Sequence, residues 1–293
     1  MDKSRALYIS AFGQSDLGLV RKNNEDSFLI VDLNDGAEDI HPAAPNFFAG
    51  DRGSLFMVAD GMGGAEAGEV ASQMAVELVC RYLRTKRFSS RQSFVKNLKK
   101  SIDEANRDIY QESIKNEARR GMGTTLTAAA VFGGELFFAQ LGDSRGYLVR
   151  NGSIAQMTQD QSLVAQLVQS GALTPERAKV DPRRNVILQA LGSRKRVEVA
   201  VSVVELRRGD WAVLCSDGLS GKVDAEEMTE ILKGSSGPNE ACQRMIDLAK
   251  QRGGEDNITV IVAKFDGDKL LLPAPDEVPT YTEFEETRSS FWF

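Results

Sequence analysis

LTAAAVF (126–132), GG (133–134), ELFFAQL (135–141), GDSR (142–145), GYLVR (146–150), NG (151–152), SIAQM (153–157): this stretch decides the fold class. Its apolar segments are too short for helices and rich in aromatic and β-branched residues, so they read as strands. Gly133-Gly134 and Asn151-Gly152 are two-residue hairpin connections. Hairpins join antiparallel neighbours, and an antiparallel sheet needs one face covered.

Upstream, residues 6–12, 27–31 and 55–59 also read as strands. The polar segment 33–53, with Gly36, Pro42, Pro45 and Gly50, reads as a long loop. A helix follows. Val70, Met74, Leu78 and Tyr82 recur every fourth residue, and Ala67, Ala71, Ala75 and Val79 widen the stripe. Phe94, Leu98, Ile102, Ala105 and Ile109 mark a second. Downstream, 158–196 is mixed and polar, with a short helix over 163–169 and a helix start at Thr174-Pro175. Strands at 197–204 and 211–215, helices at 225–232 and 239–251, and a strand at 258–264 complete the order. Helices in adjacent pairs do not fit alternating βαβ winding. The order predicts an α+β protein: two central, mostly antiparallel sheets packed face to face, each capped by a helix pair.

Composition narrows the function. The 293 residues are 42% hydrophobic and 27% charged, as in an ordinary globular protein. A net charge of −6 speaks against a nucleic-acid surface. No apolar run is long enough to span a membrane, and the start MDKSR leads into no apolar signal core, so a cytoplasmic location is expected. Cys80, Cys215 and Cys242 are odd in number and form no CxxC pair, which reads as buried free thiols. His41 is the only histidine and reads as a loop residue, leaving little room for a zinc site or a His-based triad. With 42 acids, a metal site here would be built from oxygen, favouring magnesium, manganese or calcium.

Four aspartates lie at strand ends: Asp60, Asp143, Asp217 and Asp256. A strand end anchored in a core holds a carboxylate as rigidly as a metal ligand requires. Gly61, Gly142 and Gly218 adjoin three of them, and Asn24-Glu25-Asp26 opens another strand. One Asp-Gly pair is an ordinary turn; four such ends in one chain point to a metal centre.

The segments RKNNEDS (21–27), DGMGG (60–64), GMGTT (121–125), LGDSR (141–145), SDGL (216–219) and DNIT (256–259), in this order, resemble the bacterial type 2C (PPM) metal-dependent serine/threonine protein phosphatases. The likeness spans about residues 6–265. It implies a four-layer α-β-β-α sandwich over residues 1–266, with a flap at about 158–196. It implies that Asp60 bridges two manganese or magnesium ions, with the Gly61 carbonyl on the second. Asp217 and Asp256 complete the first, Glu25 and Asp26 hold metal-bound waters, and Asp143 shares a third ion with Asp217. Arg21 binds the substrate phosphate. The implied chemistry is attack by a metal-activated water on phosphoserine or phosphothreonine, opposing a serine/threonine kinase in bacterial signalling. Chemically this set suffices without a protein nucleophile, and Arg suits a bidentate phosphate clamp.

Two positions depart from relatives. Met62 stands where eukaryotic members place a histidine proposed as general acid, and in the pair Asp160-Gln161 the second residue stands where relatives often have histidine. A catalytically weak phosphoprotein-binding domain on the same fold remains the alternative reading, and a two-metal nuclease fits the acidic charge poorly. The basic residues Arg183, Arg184, Arg194, Lys195 and Arg196 are either a solvated surface or a guide for phosphopeptides. The tail, 267–293, is acidic yet ends in Phe291-Trp292-Phe293. It is expected to dock on its own domain or on a partner, its acids meeting the basic residues 194–196.

Overall fold

The computed structural model describes residues 7–34 and 46–284. Two sheets form the centre. One runs in the order β3 (Asn46–Ala49), β1 (Leu7–Asp16), β12 (Ile258–Asp266), β11 (Trp211–Cys215), β8 (Arg145–Arg150), β9 (Ser153–Gln156). The other runs β13 (Thr282–Glu283), β10 (Ala200–Glu205), β7 (Glu135–Leu141), β6 (Leu126–Phe132), β4 (Ser54–Met62), β2 (Asp26–Asp32), with β5 (Gly123–Thr124) on the end of β4. Every described strand pair is antiparallel.

The side-chain period of two sorts each central strand into two cores. On β4, Phe56 and Val58 point between the sheets, while Leu55, Met57 and Ala59 face the helices. On β12, Ile261, Ala263 and Phe265 point between the sheets, and Ile258, Val260 and Val262 face the opposite helix layer. Burial on both faces is why these strands are continuous apolar runs rather than alternating ones. Helices α1 (Ala65–Thr85) and α2 (Arg91–Lys115) cover the first face; α6 (Ala225–Lys233) and α7 (Pro238–Gln251) cover the other. The result is a four-layer α-β-β-α sandwich. On α1 the alanine row Ala67, Ala71 and Ala75 is fully buried while Val70, Met74 and Tyr82 are only partly so. Small side chains let the helix lie close to the sheet.

The segment 33–53 is not one loop. Asn46–Ala49 pairs with the edge of β1. A four-residue strand bonded on one side and flanked by Pro45 and Gly50 carries no apolar run to announce it. Strand β1 continues to Asp16 through the polar Gly13-Gln14-Ser15, because β12 supplies partners as far as Asp16↔Ile258. Strand β10 begins at Ala200 rather than 197, although Val197 and Val199 still pack on the helix-side core. His41 lies outside the described residues.

Between β9 and β10 the chain forms α3 (Leu163–Gln169) and α4 (Pro175–Ala178), the latter capped by Thr174. The isolated bridge Ser162↔Ile187 closes this segment on itself, and Thr124↔Leu191 ties it back to the body. Beyond β12, Leu270 is buried between the sheets, Tyr281 packs on that core, and Phe284 packs on the helix-side core. The described acids of this stretch do not meet residues 194–196: Glu277 binds Arg150 and Arg207, and Asp268 binds Arg208. Phe291-Trp292-Phe293 lies outside the described residues.

Candidate active site

All the strand ends singled out above open at one end of the sandwich. On β2 and β4, Asp26 stands directly opposite Asp60. Directly opposed residues project to the same side of a sheet, so two carboxylates face one space. Asp217 opens the short helix α5 (Asp217–Ser220) after β11, where its carboxyl interacts with those of Asp256 and Asp60. Asp256 precedes β12, and both its oxygens are engaged: Oδ1 accepts the Asn257 N–H at 2.8 Å, and Oδ2 accepts Arg21 Nη2 at 2.8 Å.

Neighbouring polar residues fix these ends. Ser216 Oγ donates to Asp26 Oδ2 at 2.8 Å and accepts the Thr259 N–H at 3.0 Å. Asn257 is buried; its Oδ1 accepts the Glu25 N–H at 2.8 Å, and its Nδ2 donates to the carbonyls of Leu17 and Asn23, each at 3.0 Å. Thr125 Oγ1 accepts the Asp60 N–H at 2.9 Å, and Thr124 Oγ1 donates to the Asp60 carbonyl at 2.9 Å. Gly61 donates its N–H to the Glu25 carbonyl at 3.1 Å. A Cβ there would stand 2.1 Å from the Gly68 carbonyl oxygen, so only glycine lets β4 end against the first turn of α1.

Asp143 sits in the β7–β8 loop, held from the segment after β9. Gly142 N–H donates to Gln161 Oε1 at 3.1 Å, and Gln161 N–H donates to the Gly142 carbonyl at 2.8 Å. Arg145 grips Asp160 through Nε and Nη2, the latter at 2.7 Å. Gln161, at the position where relatives often carry a histidine, therefore braces the Asp143 loop.

The electrostatics are those of crowded acids. Burial, then neighbouring carboxylates, pushes Asp60 well above the usual range. Burial raises Asp26 to about 7 against the opposing hydrogen bonds of Thr259 and Ser216, and raises Asp143 to about 7. Asp217 and Glu25 are raised too, burial again being the main cause. Arg21 is raised chiefly by its hydrogen bond to Asp256. By contrast Cys215 and Cys242 are buried thiols pushed up to about 12, and Cys80 is buried and free, so none is a nucleophile.

These residues fit divalent cations. The donors are all oxygen, and Asp143 Oδ1 is buried with no hydrogen-bond partner. Among the described residues no three His, Cys, Asp or Glu side chains converge into a finished cage. Two of these carboxylates are engaged by neighbours from the chain: Arg21 on Asp256 and Ser216 on Asp26. Sequence reading gave no role to Ser216, Asn257, Thr125 or Asp160, and noted Gln161 only as a departure from relatives. The first three adjoin or belong to the segments quoted above, and a buried polar residue beside a functional carboxylate was the available signal.

A family model described as protein phosphatase 2C matches residues 43–252. The serine/threonine phosphatase Stp of Listeria monocytogenes is 39% identical over 254 residues, covering 86% of this chain and 94% of that one. The solved structure of the serine/threonine phosphatase Stp1 from Staphylococcus aureus superposes with a TM-score of 0.78 at 30% identity, covering 88% of this chain and 96% of that one. The catalytic domain of the phosphatase PstP, solved in complex with two manganese ions, gives 0.72 at 35% identity, covering 89% and 99%. Sequence, fold and the oxygen-only site thus agree, and this chain belongs to the protein phosphatase 2C family of metal-dependent serine/threonine phosphatases.

Proposed function

We propose that the carboxylate end holds two manganese or magnesium ions through Asp60, the Gly61 carbonyl, Asp217 and Asp256. Glu25 and Asp26 steady bound water, and Asp143, with Asp217, provides for a third ion. The observation that carries this reading is the set of buried acids Asp26, Asp60, Asp143 and Asp217, all raised by burial and mutual repulsion. Bound there, two divalent cations neutralise the phosphate dianion and acidify the attacking water. Arg21 exchanges Asp256 for the substrate phosphate, its planar guanidinium suiting a bidentate grip. Ser216 and Asn257 keep Asp26 and the Glu25 backbone in place while this exchange occurs. Phosphorylated serine and threonine in proteins are the substrates, and the physiological opponent is a cytoplasmic serine/threonine kinase.

The chain divides into a phosphatase domain, residues 1–266 with the flap at about 158–196, and a tail, 267–293, whose described part docks on its own domain. Support for the docking is the pairing of β13 with β10 and the ion pairs of Glu277. The catalytically weak alternative has no specific observation in its favour.

The test is phosphate release from phosphothreonine peptides with and without manganese. Turnover should need the metal, vanish in excess EDTA, return on adding manganese, and survive thiol alkylation. Full turnover in EDTA overturns the metal assignment.

A further inference from the structure

Among the described residues ten large apolar side chains are exposed, and three of them fall within four consecutive positions: Leu17, Leu19 and Val20, at 40, 62 and 65%. They sit on the β1–β2 loop immediately before Arg21. A lone exposed leucine needs no explanation, but a contiguous apolar patch marks an interaction site.

This loop is a rigid part of the active-site rim. Asn257 bonds its carbonyls at both stems, Leu17 and Asn23. Leu19 N–H donates to the Gly254 carbonyl at 2.7 Å, and Gly18 N–H donates to Asp16 Oδ1 at 2.9 Å. Asp16 is held in turn by Lys250 at 2.9 Å. Gly18, at φ +76°, lies so close to the Asp256 backbone that a Cβ would stand 2.2 Å from that residue's carbonyl oxygen. The loop therefore rests on the backbone of the residue whose carboxylate Arg21 grips. Its apolar tips are fixed in water, at the cost of about 25 cal/mol for each Å² of apolar surface.

We propose that Leu19 and Val20 form an apolar lip that recognises the residues flanking the phosphorylated side chain, so that this enzyme prefers phosphopeptides with an aliphatic neighbour. The inference rests on the phosphatase reading and deepens it. The occupant follows from continuity with the site. Consecutive residues of a bound chain are spaced 3.8 Å between Cα atoms. A phosphoryl group delivered to Arg21 and the carboxylates thus brings its flanking residues over the loop that carries Arg21. Charge offers a weaker contact there: Arg21 is already shared with Asp256, leaving Lys22 as the adjacent exposed cation.

The experiment uses the full chain with manganese and three phosphothreonine peptides carrying Leu, Ala or Glu on both sides of the phosphothreonine. p-Nitrophenyl phosphate, which has no flanking residues, serves as the control. The wild type should show a KM lower for the Leu peptide by about fivefold or more against both others, as partial burial of a leucine side chain provides. In the double variant Leu19→Ser, Val20→Ser the three KM values should converge, with p-nitrophenyl phosphate turnover unchanged. The variant Leu19→Met, Val20→Ile should keep the preference. A wild type that does not favour Leu, or a serine variant that still does, overturns the proposal. So does a serine variant that loses self-association in sedimentation while its peptide KM values stay put, which would assign the lip to a second copy of the chain. Loss of p-nitrophenyl phosphate turnover in the serine variant also overturns it, showing that the loop merely supports Arg21. Failure of the phosphatase reading itself would look different: no metal-dependent turnover of any of the four substrates.

Discussion

The two ends of the sandwich both bury charge, and they solve the problem oppositely. At the end away from the carboxylates, Arg150 and Asp210 are almost fully buried and form a bidentate pair, with bonds of 2.9 and 2.7 Å. Glu277 takes the remaining face of Arg150 at 2.7 Å and also binds Arg207 at 2.9 Å. Every charge there has a partner from the chain. At the active end, Asp26, Asp60, Asp143 and Asp217 crowd together, and Arg21 reaches only Asp256. Stability can be completed by the chain itself; the active end keeps an excess of negative charge that the proposed divalent cations would neutralise.

The largest effect tests the active end. Asp60→Ala should lower kcat/KM by at least about a thousandfold, since on the proposed assignment it holds the cations that supply several kcal/mol. In chelator the same variant should melt no lower than wild type, because it relieves crowding. A marked loss of stability would show that Asp60 is structural and break the contrast.

Next comes the paired end. Arg150→Met leaves Asp210 buried without its guanidinium, a change expected to cost about 3–5 kcal/mol. Urea unfolding should register it, while kcat of the folded fraction stays near wild type. If the loss is small, the far end is no better neutralised than the active one.

A third effect follows from protons. Asp26 and Asp143 have folded values of about 7, and Asp60 and Asp217 are also raised, against about 4 in an unfolded chain. Between about pH 4 and 7 the folded state therefore binds more protons than the unfolded one. Stability in chelator should fall as pH climbs through that window. Melting temperatures at pH 5.5 and pH 8 should differ by roughly a few degrees, the lower pH being the more stable. Manganese should protect more at pH 8. A metal-free protein more stable at pH 8 than at pH 5.5 would contradict the crowding.

The smallest effect is Glu277→Gln. The residue is a quarter exposed, so screening limits its loss to about 1 kcal/mol. A larger loss would make the tail segment a principal support of the far end.

The sequence disclosed the central strands because burial on both faces writes them as unbroken apolar runs. It disclosed Asp60, Asp143, Asp217 and Asp256 because each ends or precedes such a run. It concealed β3 and β13, edge pairings of four and two residues whose stability comes from β1 and β10 rather than from their own composition. It concealed the braces as well. Gln161 and Gly142 lie 19 positions apart, and Asn257 and Glu25 lie 232 apart. Amide contacts at such separation have no local periodicity to betray them.

The strand directions have a practical corollary for anyone wishing to label or rewire this enzyme. Because β6 and β7 deliver their functional ends to one pole, the Gly133-Gly134 turn that joins them lies at the other, with open space around both glycines; their φ of +63° and +89° disfavours a side chain at either, so the way in is an insertion between them. A fluorescent tag, an affinity handle or a whole guest domain spliced into that turn would leave the Asp26↔Asp60 register untouched. The hairpin is thus the natural port for building a switchable version of the catalyst.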